Sequence, residues 1–254
     1  MRQKILLLIA SALLTAGIAR ATPSTTYWTP MTMDIQPYSV LHLGVDNYFT
    51  VLRKSDNGGS SFPTDAGLTM GVLPFNDVQM EIGADWLESS DYPFYFNAKI
   101  GTPESSLFNG SPALAVGIFN VGTETGVTDQ DVGYAVIGKT IPWLGRLSIG
   151  PYVGNKKGLG AGISDDAESV GFMVAFDHGF IPVKDVAGNE FNRLVVAADY
   201  ASGKNAIGGG GFGLYYYFMK DISLLTGPVW YNDEDINGKW KWTIQLDVNL
   251  PALM

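Results

Sequence analysis

The sequence predicts an all-β protein, an antiparallel up-and-down transmembrane β-barrel of about twelve strands. Beyond residue 36, apolar and polar side chains alternate in segments of about ten residues, which is the pattern of a strand. Clusters of Gly, Asn, Asp, Ser and Pro separate these segments and indicate turns. Most tryptophans fall near the ends of the predicted strands, where a bilayer interface favours amphipathic rings. Together these observations favour a barrel over a soluble sandwich.

Residues 1–21 are predicted to form a signal peptide. Arg2 and Lys4 precede an apolar run that ends at Ala19, and residues 19–21 fit a small-x-small cleavage site. The apolar run is shorter than the roughly 20 residues that a membrane-spanning helix needs. We therefore expect this segment to direct export.

Charge and composition exclude several functions. The chain has a formal net charge of −9, and loss of three basic residues with the signal peptide takes it to −12. Such an acidic protein has no electrostatic attraction for nucleic acid. The absence of Cys excludes disulfides and thiolate metal centres, and we predict no cofactor.

Residues 22–36 precede the first predicted strand. They contain Trp28 and Pro30. The segment is interpreted as an N-terminal periplasmic extension, an extra strand or a plug inserted into the barrel, and these alternatives stay open. Residues 37–254 are predicted to form the barrel.

An even number of strands places both ends of the barrel on the same side of the membrane. Short turns such as residues 74–77 and 142–145 follow even-numbered strands and are predicted to be periplasmic. Longer polar connections lie on the opposite side, although residues 104–111 and 180–191 are long where short turns are expected. The predicted strands lie near residues 37–50, 63–74, 77–88, 93–103, 112–122, 131–141, 145–155, 168–179, 192–202, 207–219, 222–232 and 239–250.

A symmetric hairpin between the third and fourth strands gives a test of register. It would pair Trp86 with Phe94 on the outward face and Glu81 with Lys99 on the inward face. Cross-strand partners of opposite charge favour that arrangement.

The predicted inward face carries charges of both signs. In a hydrated lumen these would bind a solute or set at most weak ion selectivity, whereas in a narrow one they would pair and fill it. Both interpretations stay open. The predicted lumen-facing charged residues are Asp46, Glu81, Asp85, Lys99, Lys139, Arg146, Asp177, Arg193, Asp199, Lys241 and Asp247.

Tryptophans are predicted to mark the two membrane interfaces. Four lie at the loop ends of their strands and one in a short turn on the other side. These interface aromatic residues are Trp86, Trp143, Trp230, Trp240 and Trp242.

Two patterns resemble ligand motifs by letters alone. Asp233, Asp235 and Asn237 match the opening of a calcium loop, but position twelve is Ile244 instead of Glu, so a turn is favoured over weak calcium binding. Residues 208–213 match a glycine-rich dinucleotide fingerprint without a following helix. We interpret those glycines as room for bulky neighbours or a kink.

An enzymatic function is not expected. No G-x-S-x-G pattern occurs, and Ser39 lies on the opposite face from His42, which is assigned inward. His178 has Asp177 beside it on the opposite face and no evident Ser partner.

The signal peptide, the alternating strands and the strand that finishes the chain resemble the outer-membrane β-barrel class of Gram-negative bacteria. The resemblance implies an outer-membrane location and contact with membrane lipid and lipopolysaccharide. The favoured function is a small channel or porin-like protein for small polar solutes. A sealed structural or assembly barrel that anchors a partner and a membrane-embedded lipid hydrolase are alternatives, and an oligomer or partner protein is left open.

Overall fold

Twelve antiparallel strands form a closed barrel in the computed structural model, which describes residues 25–251. The predicted signal peptide lies outside the described residues. The strands are β1 (Val40–Phe49), β2 (Thr64–Gly71), β3 (Gln79–Glu88), β4 (Phe94–Thr102), β5 (Ala113–Gly122), β6 (Val132–Ile141), β7 (Gly145–Val153), β8 (Val170–Lys184), β9 (Glu190–Ala201), β10 (Gly209–Met219), β11 (Ile222–Tyr231) and β12 (Lys241–Pro251).

Closure of the barrel comes from pairing of the first and last strands. β1 and β12 pair from Val40–Pro251 to Phe49–Trp242, so the sheet has no free edge. Closure satisfies the backbone hydrogen bonds within the sheet, as a chain surrounded by lipid requires. No helix within residues 25–251 is long and apolar enough to cross a membrane.

The predicted fold class, strand number and strand order are confirmed. The hairpin register is also as predicted, because Trp86 is opposite Phe94 and Glu81 is opposite Lys99.

The two ends of the barrel differ in their connections. The turn end carries residues 72–78, 103–112, 142–144, 185–189 and 220–221, together with the start of β1. The loop end carries residues 50–63, 89–93, 123–131, 154–169, 202–208 and 232–240. The loops include a short 3-10 helix (Ser55–Asn57), α1 (Lys156–Leu159) and α2 (Glu234–Asn237).

The prediction of a long connection at residues 180–191 is wrong. β8 and β9 continue through most of it, with Lys184 opposite Glu190 and the two side chains joined by a 3.0 Å ion pair. Asp185 closes the remaining turn by accepting hydrogen bonds from the backbone N–H groups of Ala187 and Asn189.

The barrel has an apolar outer wall and a mostly polar interior. This is the reverse of a water-soluble protein and is typical of a barrel that faces lipid. Exposed apolar side chains of the outer wall include Leu43, Val45, Leu68, Met70, Ile82, Phe94, Phe96, Ile100, Leu114, Val116, Ile118, Ile137, Ile149, Phe172, Phe212, Leu214, Phe218, Ile244, Leu246 and Leu250.

Tryptophans lie at both rims of the apolar wall. Trp86, Trp230 and Trp242 lie within two residues of the loop ends of β3, β11 and β12, and Trp240 immediately precedes β12. Trp143 lies in the turn between β6 and β7 and is 99% exposed. Both rims of the apolar wall therefore carry tryptophan rings, and their placement at bilayer interfaces stays a prediction.

An arginine in the middle of the outer wall should destabilise the protein more than one at its rim. We expect Leu214→Arg, in the middle of β10, to lower the free energy of unfolding in lipid vesicles by about 2–4 kcal/mol. Val170→Arg, at the loop-end start of β8, should cost about 0–1 kcal/mol. Urea unfolding measures both. Equal losses at the two depths would contradict a lipid-facing wall.

Candidate functional site

Residues 25–36, named the plug here, lie inside the barrel. The segment reverses direction between Thr26 and Met31, where Thr26 donates its N–H to the Thr29 carbonyl and its hydroxyl to the Met31 carbonyl, at 3.0 and 2.8 Å. Tyr27 and Met31 are only 1% and 0% exposed. From this fold the chain continues along the lumen to β1 at the turn end.

Asp199, on the inward face of β9, holds the tip of the plug. Its carboxylate accepts hydrogen bonds from the backbone N–H groups of Tyr27, Trp28 and Thr29 at 3.1, 2.9 and 2.7 Å. The Thr29 hydroxyl donates a further bond at 2.9 Å. Charge-assisted hydrogen bonds of this kind are about twice as strong as neutral ones. One buried wall residue therefore binds consecutive residues of the plug.

The Tyr27 ring lies against glycines of β10. A Cβ atom at Gly211 would lie 2.7 Å from Tyr27 Cε1, and one at Gly213 would lie 2.4 Å from Cε2. The Tyr27 hydroxyl donates to the Pro228 carbonyl at 2.9 Å. Gly211 and Gly213, in the stretch that resembles a dinucleotide motif, therefore leave the space that this ring occupies.

A second anchor joins the plug to the wall through Arg146 of β7. The guanidinium donates to the Asp34 carboxylate at 2.7 Å and to the Asp177 carboxylate at 2.8 Å. Arg146 thus bridges one plug carboxylate and one wall carboxylate. Such a fork geometry gives directional as well as electrostatic binding.

A third anchor joins the plug to β3 and β4. Lys99 donates to the Asp34 backbone carbonyl at 2.8 Å, and its ammonium lies 3.8 Å from the Glu81 carboxylate. Glu81 in turn accepts the Gln36 N–H at 2.7 Å. The wall charges Glu81 and Lys99 are both buried and both contact the plug.

Aromatic side chains close the loop end around the tip. Trp28 of the plug packs against Tyr48, Phe62 and Tyr231 with ring centroids 5.3–6.3 Å apart, and its Nε1–H donates to the Ile207 carbonyl. The Lys241 ammonium lies 3.9 Å from the centroid of the Phe62 ring, a cation–π contact.

The plug packs closely against part of the wall. A cavity of about 20 Å³ lies between Thr26, Thr32 and the Asp34–Arg146 contact. This volume is about that of one ordered water molecule. Inward carboxylates of β1, β2 and β3 remain partly exposed.

Three carboxylates on the β1–β3 wall have no cationic partner among the ion pairs of the described residues, and within residues 25–251 they form no hydrogen bond with the plug. Asp46 is directly opposite Asp65, and Asp85 lies diagonally across from Asp65. Asp85 accepts a hydrogen bond from Asn97. Like charges directly opposite one another are destabilising, so this acidic wall has a cost unless cations are near it.

His42 and Asp247 form a contact inside the lumen. His42 Nε2 lies 3.4 Å from the Asp247 carboxylate, and Nδ1 lies 3.0 Å from Asn249 Oδ1. Ser223 donates to Asp247 at 3.3 Å, so the serine contacts the acid and not the histidine. A nucleophilic triad needs the serine on the histidine. His178 packs on Phe180 with ring centroids 4.5 Å apart.

The prediction that Lys139 faces the lumen is wrong. Lys139 shares the outward face with Ile137, is 41% exposed in its side chain and forms a 2.8 Å ion pair with Glu104. The inward face of β6 is instead apolar, because Val132 and Val136 pack in the core around the plug. Assigning polar side chains to the inside therefore fails on this strand.

Arg193 lies at the turn end, away from the plug anchors. Its guanidinium donates to the backbone carbonyls of Tyr217 and Phe218, each at 3.1 Å. It also lies 5.4 Å from the Phe191 ring centroid. These contacts hold it to the end of β10.

The calcium-loop candidate forms the short helix α2. Asp233 caps it by accepting the N–H groups of Asp235 and Ile236, and Asn237 is buried with its amide donating to the Asn205 carbonyl. Within residues 25–251 no group of His, Asp and Glu is arranged to hold a metal ion.

Sequence reasoning did not identify Asp34 or Asp65 as lumen residues. Asp34 lies in a short stretch where Met31, Met33 and Ile35 alternate with polar residues, but no predicted strand partner assigned a face to it. Asp65 could have been found, because antiparallel pairing places it opposite Asp46.

No protein-family model matches the chain, and no curated protein matches it. Solved structures with a similar course include KdgM porin, with 8% identity, a TM-score of 0.48, and coverage of 83% of this chain and 99% of that one. An outer membrane channel from Pseudomonas putida F1 has 8% identity, a TM-score of 0.47, and coverage of 90% and 99%. A mutant of Rh. blastica porin has 12% identity, a TM-score of 0.40, and coverage of 73% and 55%.

Proposed function

We propose that this protein is an outer-membrane channel for small polar solutes, with a preference for cations, and that residues 25–36 hold it closed. The observation that carries the proposal is the division of the lumen charges. Glu81, Lys99, Arg146, Asp177 and Asp199 contact or bridge to the plug. The acidic wall makes no such contact and remains available to line a pore.

The plug is separate from the sheet of the barrel, as a gate requires. The hydrogen-bonded ladder closes through β1 and β12, so the barrel does not need the plug to complete its sheet. The anchors described above are mostly polar contacts, which water can replace when the segment leaves. Its departure would also expose the apolar wall side chains against which Tyr27, Met31 and Ile35 pack.

The membrane orientation follows from the connections. We infer that the turn end faces the periplasm and the loop end faces the outside, with the apolar wall in contact with lipid and lipopolysaccharide. The plug would then enter the lumen from the periplasmic end, where β1 begins.

The gate can be tested by locking it. The chain has no Cys, and a Cβ atom at Gly138 would overlap Met33 Cγ, so Met33→Cys with Gly138→Cys places a pair of thiols within reach of each other. In planar bilayers we expect openings of the wild-type protein under applied voltage. The oxidised double variant should stay closed, and reductant should restore the openings.

Each single-cysteine variant provides the matched control, because neither can form the cross-link. Openings that persist in the oxidised double variant would contradict the plug as the gate. A barrel that never conducts, even without the plug, would instead favour the sealed structural or assembly barrel.

A further inference from the structure

We propose that a groove on the outer wall, between β4 and β7, binds one acyl chain of a phospholipid in the leaflet at the turn end. The groove has a volume of about 520 Å³ and lies on the lipid-facing side of the barrel. This volume is within the range of roughly 300–1,000 Å³ of small-molecule sites. The outward side chains that line it include Ile100, Leu114, Val116, Ala135, Ile149 and Pro151.

The groove has a local cause in the sequence. β6 and β7 pair at Tyr134–Tyr152 and again at Ile137–Ile149, but not at the positions between. Pro151 lies in this gap and has no N–H to donate to the ladder. Ala135 contributes only a methyl group where neighbouring outward positions carry larger side chains. The wall is therefore recessed at this point.

The connection at residues 103–112 forms the turn-end border of the groove. Leu107 lines it, and Glu104 ties the connection to β6 by accepting the N–H and hydroxyl of Thr140 at 2.6 and 2.5 Å. Partial burial opposes ionisation of Glu104, but hydrogen bonds from Lys139 and Thr140 outweigh it and lower its pKa.

The chemistry of the groove and its border matches a phospholipid. The lining is apolar, so it fits a hydrocarbon chain at membrane depth. Lys139 lies on the same outward face of β6 as Ala135, about 13 Å along the strand toward the rim. Its side chain is 41% exposed and its ammonium is paired with Glu104, so a lipid phosphate there would share the ammonium with that carboxylate.

Filling the recess tests the proposal. Native mass spectrometry of the detergent-purified protein, titrated with phosphatidylglycerol, should show one retained lipid. Ala135→Phe should lower its occupancy by about tenfold at equal lipid, because the aromatic ring takes the volume of the chain. Val116→Phe fills the same groove from the neighbouring strand and should act likewise. Ala198→Phe, on the outward face of β9, is the matched control and should retain wild-type occupancy.

Lys139→Gln tests the headgroup contact separately from the acyl-chain contact. We expect it to weaken phosphatidylglycerol retention by about threefold. Equal retention in Ala135→Phe, Val116→Phe and Ala198→Phe would overturn the proposal. A dimer that disappears in Ala135→Phe would overturn it as well, because the occupant would then be a second copy of this chain. Neither result depends on whether the barrel conducts.

Discussion

A variant lacking residues 22–36 should conduct continuously where the intact protein is closed most of the time. The deletion removes every contact that fills the lumen from residues 25–36 and leaves the closed ladder of the barrel intact. Arg146 and Lys99 lose their plug partners but keep wall partners, Asp177 and Glu81. Water can therefore enter a lumen whose wall remains charged and folded.

Asp199→Ala tests whether release of the plug opens the pore, without shortening the chain. It removes the acceptor of the N–H groups at Tyr27, Trp28 and Thr29. Hydrogen bonds to charged groups contribute about 1.5–3 kcal/mol each. A net loss of about 3 kcal/mol would raise the open population about a hundredfold. Single-channel recording measures that population as the fraction of time spent open.

Asp85→Ala is the matched control, because Asp85 is an inward carboxylate that accepts a hydrogen bond from Asn97 on the wall. It should leave the open fraction near that of the wild type. A slower migration on gels after boiling would verify that each variant has folded. A folded deletion variant that passes no current would refute the plug as the element that closes the pore.

The sequence predicted the barrel well because the bilayer imposes one rule on every strand. Apolar side chains are favoured on the lipid-facing side, so most outward positions are apolar and the register of the Glu81–Lys99 hairpin could be assigned from pattern and charge. Tryptophans such as Trp86 and Trp230 lie near the loop ends of their strands, where the same physics favours them. Strand boundaries were less certain at the β8–β9 hairpin, where pairing extends beyond the wall.

The inward faces were harder to predict because they are polar in some places and apolar in others. Where the plug packs, inward residues such as Val136 are apolar, and Lys139 consequently lies outside. Alternation in the plug covers only residues 31–36 and does not make it a strand, because this irregular segment takes its conformation from the groups around it. Its binding depends on contacts such as Asp199 with Tyr27, which are 172 residues apart and cannot be inferred from either segment alone.

The open lumen should carry a net negative charge. With the plug removed, inward carboxylates outnumber the lumen's Lys and Arg side chains, and the excess is concentrated where Asp46, Asp65 and Asp85 share one wall. The inward acids are Asp46, Asp65, Glu81, Asp85, Asp177, Asp199 and Asp247, and the bases are Lys99, Arg146, Arg193 and Lys241. Acidic and basic residues are mixed along the sequence, so the sequence alone does not reveal this local excess of carboxylates.

We therefore expect the plug-deleted barrel to favour potassium over chloride by about tenfold at 0.1 M salt. Asp46→Asn, Asp65→Asn and Asp85→Asn combined should bring the ratio close to one, because they remove the carboxylates without changing the size of the side chains. The reversal potential across a salt gradient measures the ratio. At 1 M salt, where the screening length is about 3 Å, the wild-type preference should shrink as well.

The control removes the same number of charges outside the lumen. Asp233→Asn, Glu234→Gln and Asp235→Asn together neutralise the loop-end helix α2 and should leave the reversal potential nearly unchanged. A selectivity that survives the lumen substitutions but disappears with those in α2 would assign the charge filter to the outer mouth. A plug-deleted barrel that conducts but prefers chloride would refute the cation preference while leaving the gate intact.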